Sequence, residues 1–416
     1  MALLASLWRR LTPTKALEDS SGKLETAFFE SVYRVIYITG LSHLELGIGY
    51  RLYSSWVKLM MSLFAAGETW YLVSSYQLVD IFIEQLNVMV IQLTALIRFK
   101  SKRDHERLYK KLATSMELSN YDTSTPARSA LVELWRLRSE KYLKLIYALG
   151  TCTLIMWFVY PLIDDVECNL MVAVRLPLDY CTPVRYPIAF LTSMVAFCFV
   201  AYFVMTNDVI MQAHLMHLLC QYAVLIDCFE NILVDCERDF QGVSRNELIH
   251  NNDFRTKYLE RLGGLVDQHK QLLNHTMELR KILSAPMLAQ VMASGMQICF
   301  AGYQVTMTIS ESASKFLMSF LYLGYNMFQL FVVCRWCDEI KTQSVKIGDA
   351  LYCSSWERGL TTIPGVRTRL MLVAMRAHKP VVLTAGGLYD LSLSSFADLV
   401  KSSYTALTVL LRLRDD

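Results

Sequence analysis

The sequence predicts an all-α membrane protein with seven transmembrane helices, a cytosolic N-terminus, an extracellular C-terminus, and helical extensions that form a cytosolic anchor. Three observations predict it. The 416 residues are 54% hydrophobic and 12% aromatic, with a mean hydropathy of +0.30, which is more apolar than a soluble domain of this size. Three charge-free runs stand out: 145–163 with 19 residues, 186–207 with 22 and 282–310 with 29. A helix needs about 20 such residues to cross a bilayer. The third observation is where the cations lie. Of the 41 Lys and Arg, 33 fall in 1–51, 98–141, 208–281 and 335–379, the segments that face one side if helices alternate. Cations mark the cytosolic side.

Taken in order, residues 1–48 form a cytosolic N-terminal segment. Met1 to Trp8 is apolar but Arg9-Arg10 follow it, the wrong charge order for a signal peptide, so insertion is expected to begin at the first span. Phe28, Phe29, Val32, Tyr33, Val35 and Ile36 predict an amphipathic stretch on the inner membrane surface. The first span covers 49–75 and is interrupted by Lys58 and Glu68. The second covers 78–98, and a charged inner loop follows. The third and fourth are the first two charge-free runs, joined by an outer loop with Asp164, Asp165, Glu167 and Asp179 and bounded by prolines. Residues 208–281 are polar but keep helical spacing through Leu215, Leu218, Tyr222, Leu225, Phe229 and Leu233. They are assigned to the anchor. The fifth span lies within 282–310, and the sixth, Phe316 to Cys334, completes a membrane unit of 49–334. Residues 335–379 return to the anchor. Lys379-Pro380 and Gly386-Gly387 then break the chain. The seventh helix, within 380–416, repeats Phe396, Val400, Ser403, Leu407 and Leu411 at three and four residues. Hydropathy alone passes over it, because Asp390, Lys401 and Arg412 fall in or beside it.

Other chemistry finds little support. There is no phosphate-binding glycine loop, no carboxylate pair at catalytic spacing and no nucleophile–His–acid set, so neither an enzyme nor a cofactor is expected. The 11 Cys read mainly as reduced thiols packed as small hydrophobes. Cys334 and Cys337 form a CxxC at the end of span six without the preceding strand that a redox motif requires. His214, His217 and Cys220 share a helix face but lack further ligands, so a structural role is expected and no metal. The Asn274-His-Thr sequon lies inside in this topology and is expected to be unmodified. The basic first inner loop sets topology and contacts anionic lipid; it does not point to nucleic acid.

The residues also carry a resemblance along nearly the whole chain. Gly40-Leu41 precedes RLYSSW in the first span; the charged inner loop, the proline-bounded outer loop and the long inner helices follow. Most specific is Lys379-Pro380 followed by AGGLYDLSLSSFADLVKSSYTALTVLL. In these features the chain resembles the insect odorant receptors, as a ligand-tuning subunit without the enlarged inner loop of the shared co-receptor. The resemblance implies a plasma-membrane, volatile-gated, non-selective cation channel, heterotetrameric with that co-receptor. Each subunit then has its own pocket, and its terminal helix lines the pore. A G-protein-coupled seven-helix receptor is the competing reading, but it has an outer N-terminus, against the charge count. A secondary transporter is expected to show internal repeats, and none is seen.

For the pore the candidates are Val400, Ser403, Tyr404, Leu407, Leu410 and Leu411, since rings of aliphatic side chains can gate by dewetting. Packing on the subunit's own helices is the alternative. A pocket for a small volatile is expected in the outer halves of spans two to six, apolar and aromatic with one or two polar groups. Span two offers Phe82, Gln85, Leu86 and Met89. Span three offers Gly150, Thr153, Met156, Trp157 and Tyr160. Span four offers Phe190, Met194, Phe197 and Cys198, and span five Tyr303. Trp157 is favoured, because its indole can stack on a flat ring. Cys168 and Cys181, both in the second outer loop, are a candidate disulfide, with two free thiols the alternative.

Overall fold

The computed structural model describes residues 12–18, 23–42, 47–75, 79–115, 123, 125–163, 168–175, 180–240, 245–309 and 312–415. After a single helical turn at Lys15–Glu18, the helices are α1 (Lys23–Ile38), α2 (Ile48–Ser74), α3 (Val79–Asp104), α4 (Glu106–Ala113), α5 (Pro126–Ile163) and α6 (Arg185–Glu230). They continue with α7 (Ile232–Glu237), α8 (Arg245–His250), α9 (Asn252–Thr308), α10 (Ala313–Tyr352), α11 (Val366–Ala377) and α12 (Leu393–Asp415). Helices α2, α3, α5, α6, α9, α10 and α12 contain the seven predicted spans in order.

Five of these seven are apolar enough over a full window to cross a membrane by composition alone. The other two, α2 and α12, are those that hydropathy reads weakly. The surface of α2 explains why it still belongs in lipid. Ile48, Leu52, Trp56, Leu59, Leu63, Trp70 and Val73 form an outward stripe at helical spacing and are all exposed. So long an apolar stripe needs a cover. Glu68 turns the other way, fully buried, and accepts two hydrogen bonds from Gln92 Nε2 at 2.9 and 3.1 Å.

The helical extensions beyond the predicted spans are continuations of the same helices. Helix α6 runs 46 residues and α9 runs 57. At 1.5 Å per residue the longer one is about 85 Å, nearly three hydrocarbon cores. Pro286 sits within α9 without ending it, and α10 continues past Cys334 to Tyr352. Helix α10 packs along α5, α6 and α9. Apolar positions all round α6 are therefore buried: Leu215, Leu219, Tyr222, Leu225 and Phe229 are all fully buried.

Two polar clamps hold the inner ends. Arg128, 1% exposed at the start of α5, donates to Asp227 of α6 and Asp235 of α7, each at 2.6 Å. Arg98 of α3 forms a buried ion pair with Asp208 of α6.

The fold departs from the sequence reading in two places. The apolar face of α1 docks on protein: Phe28 and Phe29 lie against the rings of His214 and His217 at 4.8–5.6 Å. The break before the last helix is a small antiparallel hairpin, β1 (Thr384–Ala385) with β2 (Tyr389–Asp390). Gly386 and Gly387 turn it with φ of +63° and +73°, a region that side chains rarely adopt. The Gly386 amide donates to the Ser284 carbonyl at 2.9 Å, tying the hairpin to α9.

Candidate functional site

Four helices, α3, α5, α6 and α10, leave a cavity of about 70 Å³ between them. Its walls are apolar: Val88 and Ile91 from α3, Leu154 from α5, Val200 and Val204 from α6. Aromatic rings close one side. Trp157 lies 5.2 Å from Phe197 and 6.0 Å from Tyr322 between ring centroids, spacings at which offset and edge-on pairs attract.

Glycine makes the space. A Cβ on Gly150 would overlap the Met205 sulfur and stand 3.3 Å from the Tyr325 ring, so the cavity reaches this deep only because residue 150 has no side chain. The polar content is small. Gln92 is held by Glu68, and Thr153 Oγ1 donates to the Leu149 carbonyl at 2.9 Å. The hydroxyls of Tyr322 and Tyr325 are both buried with no hydrogen-bond partner among the described residues, and the cavity wall itself is wholly apolar. A buried hydroxyl without a partner is costly, so either would gain from an occupant that reaches it.

The second outer loop caps this region. Leu170, Met171, Val172 and Val174 are buried, the last three in one cluster with Trp157, Phe197 and Met318. Tyr160 OH donates to the Leu170 carbonyl at 3.3 Å and Tyr186 OH to the Asn169 carbonyl at 2.7 Å. The LMVAV run inside an otherwise acidic loop was the sequence signal for this cap. Cys168 and Cys181 both lie near Tyr180 and Tyr186, so the loop brings the two cysteines into one neighbourhood.

Of the sequence candidates, Gly150, Thr153, Trp157 and Phe197 line the cavity. Met156, Phe190, Met194 and Cys198 pack around the same aromatic cluster without reaching the void, and Tyr160 is inside that cluster, bonded to the loop. Phe82, Gln85, Leu86 and Met89 do not line it: Gln85 is buried one turn before Val88, and the wall is Val88, Ile91 and Gln92. Tyr303 is buried on α9, which contributes nothing to this wall. Met205 was missed because the cavity extends deeper than the outer half of span four, and Tyr322 and Tyr325 because no residue of span six was offered. Only the juxtaposition of Gly150 with Met205 opens it, and sequence spacing does not show that.

The terminal helix has two unlike sides. Leu399 and Ser403 lie over Gly295, and Leu407 over Gly302, both on α9. Small residues seven apart give a groove of the kind membrane helices pack into. Phe396 meets Phe331 of α10 edge-on at 5.7 Å. Of the six pore candidates, Ser403 is therefore buried and Leu407 is half-buried against the chain's own helix. Val400, Leu410 and Leu411 are half-buried, and Tyr404 is 66% exposed on the open side with Lys401 and Thr405. A second uncovered surface lies on the inner part, where Tyr352, Met371, Leu372 and Met375 are 74, 54, 61 and 67% exposed.

Comparison with known proteins places this geometry. The sequence profile described as 7tm Odorant receptor matches residues 79–404. Odorant receptor Or2 of Anopheles gambiae is 29% identical over 144 residues, 35% of this chain and 37% of that protein. Odorant receptor 82a of Drosophila melanogaster is 26% identical over 193 residues, 45% of this chain and 48% of that protein. The matched stretch thus spans less than half the length of these curated relatives. The insect olfactory receptor OR5 from Machilis hrabei in complex with eugenol superposes with a TM-score of 0.76 at 17% identity, over 94% of this chain and 100% of that one.

Proposed function

Because the chain belongs to the 7tm odorant receptor family, we propose that it is a ligand-tuning subunit of an odorant-gated, non-selective cation channel in the plasma membrane. The observation that carries the reading is the apolar, aromatic-walled cavity within one chain, capped by the outer loop and lined by two tyrosines, Tyr322 and Tyr325, whose buried hydroxyls have no partner among the described residues. A site of that chemistry suits a small volatile with an aromatic or aliphatic body and one or two hydrogen-bonding groups. Eugenol, in the complex with the Machilis hrabei receptor, is a molecule of that kind.

Gating follows if the occupant fits the open form better than the closed one. The cavity walls belong to α5, α6 and α10, and α10 also packs on α12. A shift at the cavity therefore has a direct route to the terminal helix. The open side of α12, centred on Tyr404 with Val400 and Leu411 at its edges, is assigned to the pore beside the equivalent helices of other subunits. The exposed patch of Tyr352, Met371, Leu372 and Met375 suits subunit contact in the cytosolic anchor, with the co-receptor as the partner. The charge count supports an inner N-terminus and an outer C-terminus.

The test is current from cells expressing this chain with and without the co-receptor, across a panel of volatiles that includes phenols and indoles. An odorant-evoked cation current that needs both chains supports the reading. A response that needs added nucleotide or a G protein overturns it.

A further inference from the structure

A second cavity, of about 100 Å³, opens beyond the other end of α3, between α1, α3, α4 and α6. It does not communicate with the chemistry described above, and it is built differently. Its floor is apolar: Phe29, Val32 and Ile36 of α1, with Phe99 and Ile210 opposite. Its other side is cationic, formed by Lys102, Arg103 and Lys110.

The charges there are not balanced. Lys110 is taken by Glu25 at 2.7 Å, and Glu25 also accepts from Tyr33 OH at 3.0 Å. Lys102 and Arg103 make no ion pair or hydrogen bond among the described residues, and Glu106 is the one carboxylate in the lining. Lys102 is half-buried with Glu106 nearby, and Arg103 and Glu106 are both exposed, so two cations face one carboxylate beside an aliphatic floor. That leaves a net positive edge to which an anion would add a counter-charge while its tail covered the floor.

We infer that this cavity binds an anionic amphiphile, its carboxylate or phosphate head on Lys102 and Arg103 and the first methylenes of its chain along Val32, Ile36 and Phe99. The head would make charge-assisted hydrogen bonds; the chain would cover apolar surface that α1 leaves open. In the topology of the charge count the site lies at the cytosolic face. Either a free fatty acid or an anionic phospholipid of the inner leaflet has the required chemistry. The inference concerns binding alone and does not depend on the channel reading.

The experiment is native mass spectrometry of the purified full-length chain with oleate, with dioleoyl phosphatidic acid, and with the neutral oleyl alcohol and dioleoyl phosphatidylcholine. One or both anionic amphiphiles should bind, and the neutral ones should not. Lys102→Met should weaken that binding about tenfold or more. Which anionic compound binds identifies the source. Lys144→Gln, at an exposed site elsewhere, should change nothing. Equal binding by Lys102→Met and the unaltered chain, or equal binding of neutral and anionic compounds, overturns the inference. Should Lys102→Met fail to fold, Ile36→Trp fills the floor, and undiminished binding by that variant overturns it equally.

Discussion

Gly150 and Met205 face each other so closely that a β-carbon on residue 150 would overlap the Met205 sulfur. The thioether is the flexible end of a soft side chain, so it yields, and it yields into the cavity. Gly150→Ala should therefore leave the fold intact and shrink the cavity. One methyl group of misfit in an apolar pocket is worth roughly 1–3 kcal/mol. Half-maximal concentrations for the bulkier agonists should rise about tenfold or more, with little change for the smallest. Dose–response curves in co-expressing cells measure this, and a uniform loss of current across all ligands would contradict it.

Trp157 tests the aromatic wall. It is 5% exposed, tilted against Phe197 and edge-on to Tyr322. Trp157→Ala should cost about 3–5 kcal/mol of stability and enlarge the cavity. The expected outcome is a lower melting temperature and a spectrum moved toward larger ligands, with the channel still functional. An unchanged dose–response series would remove Trp157 from the site.

Tyr325→Phe separates binding from stability. The hydroxyl has no partner among the described residues, so its loss should leave thermal stability unchanged or slightly higher. Agonists with a hydroxyl or carbonyl should lose potency by about 0.5–1.5 kcal/mol, roughly twofold to tenfold, and their hydrocarbon analogues should lose none. A drop in melting temperature would show that the hydroxyl serves the fold.

Arg128 tests the inner clamp. It is 1% exposed and holds Asp227 and Asp235. Arg128→Ala leaves Asp227 with Asn231 alone and Asp235 with the more distant Arg238 and Arg261, so the cost should fall toward the low end of the about 3–5 kcal/mol for a broken buried pair. Differential scanning fluorimetry of the purified chain should show a fall of several degrees.

How much of this was legible in the sequence depended on whether an element is periodic or relational. The spans follow from charge-free runs and cation placement, and even α12 was found from the spacing of Phe396, Val400 and Ser403. The pocket was found in part. Trp157 and Phe197 are large aromatics on helix faces, and their placement follows from periodicity. The depth at which α3 meets the cavity did not follow, because Val88 and Gln85 share a face and differ only in which turn lies at the void. Met205 and Tyr325 were hidden for the same reason: they belong to the cavity through the missing side chain of Gly150 on another helix. Hydropathy pattern likewise showed an amphipathic α1 but not that its apolar side meets His214 and His217 instead of lipid.

His269 supplies a pH test away from the membrane. Burial, with Arg376 nearby, holds its pKa down to about 4, against about 6.5 when unfolded. Between those values the unfolded chain binds a proton that the folded chain refuses. Stability is unaffected above pH 6.5 and falls as pH drops toward 4, by up to about 2 kcal/mol at pH 5. His269→Gln should lose less melting temperature between pH 7.5 and pH 5 than the unaltered chain. An equal loss would show that His269 does not carry the effect.

The most direct test of the central claim is whole-cell current under a ligand panel, from this chain alone, the co-receptor alone and the two together. The account predicts an odorant-evoked, non-selective cation current in the pair, absent from the co-receptor alone, whose ligand order changes with Gly150→Ala and Tyr325→Phe. A current whose ligand order is the same with those cavity variants, or one that requires a G protein, would contradict it.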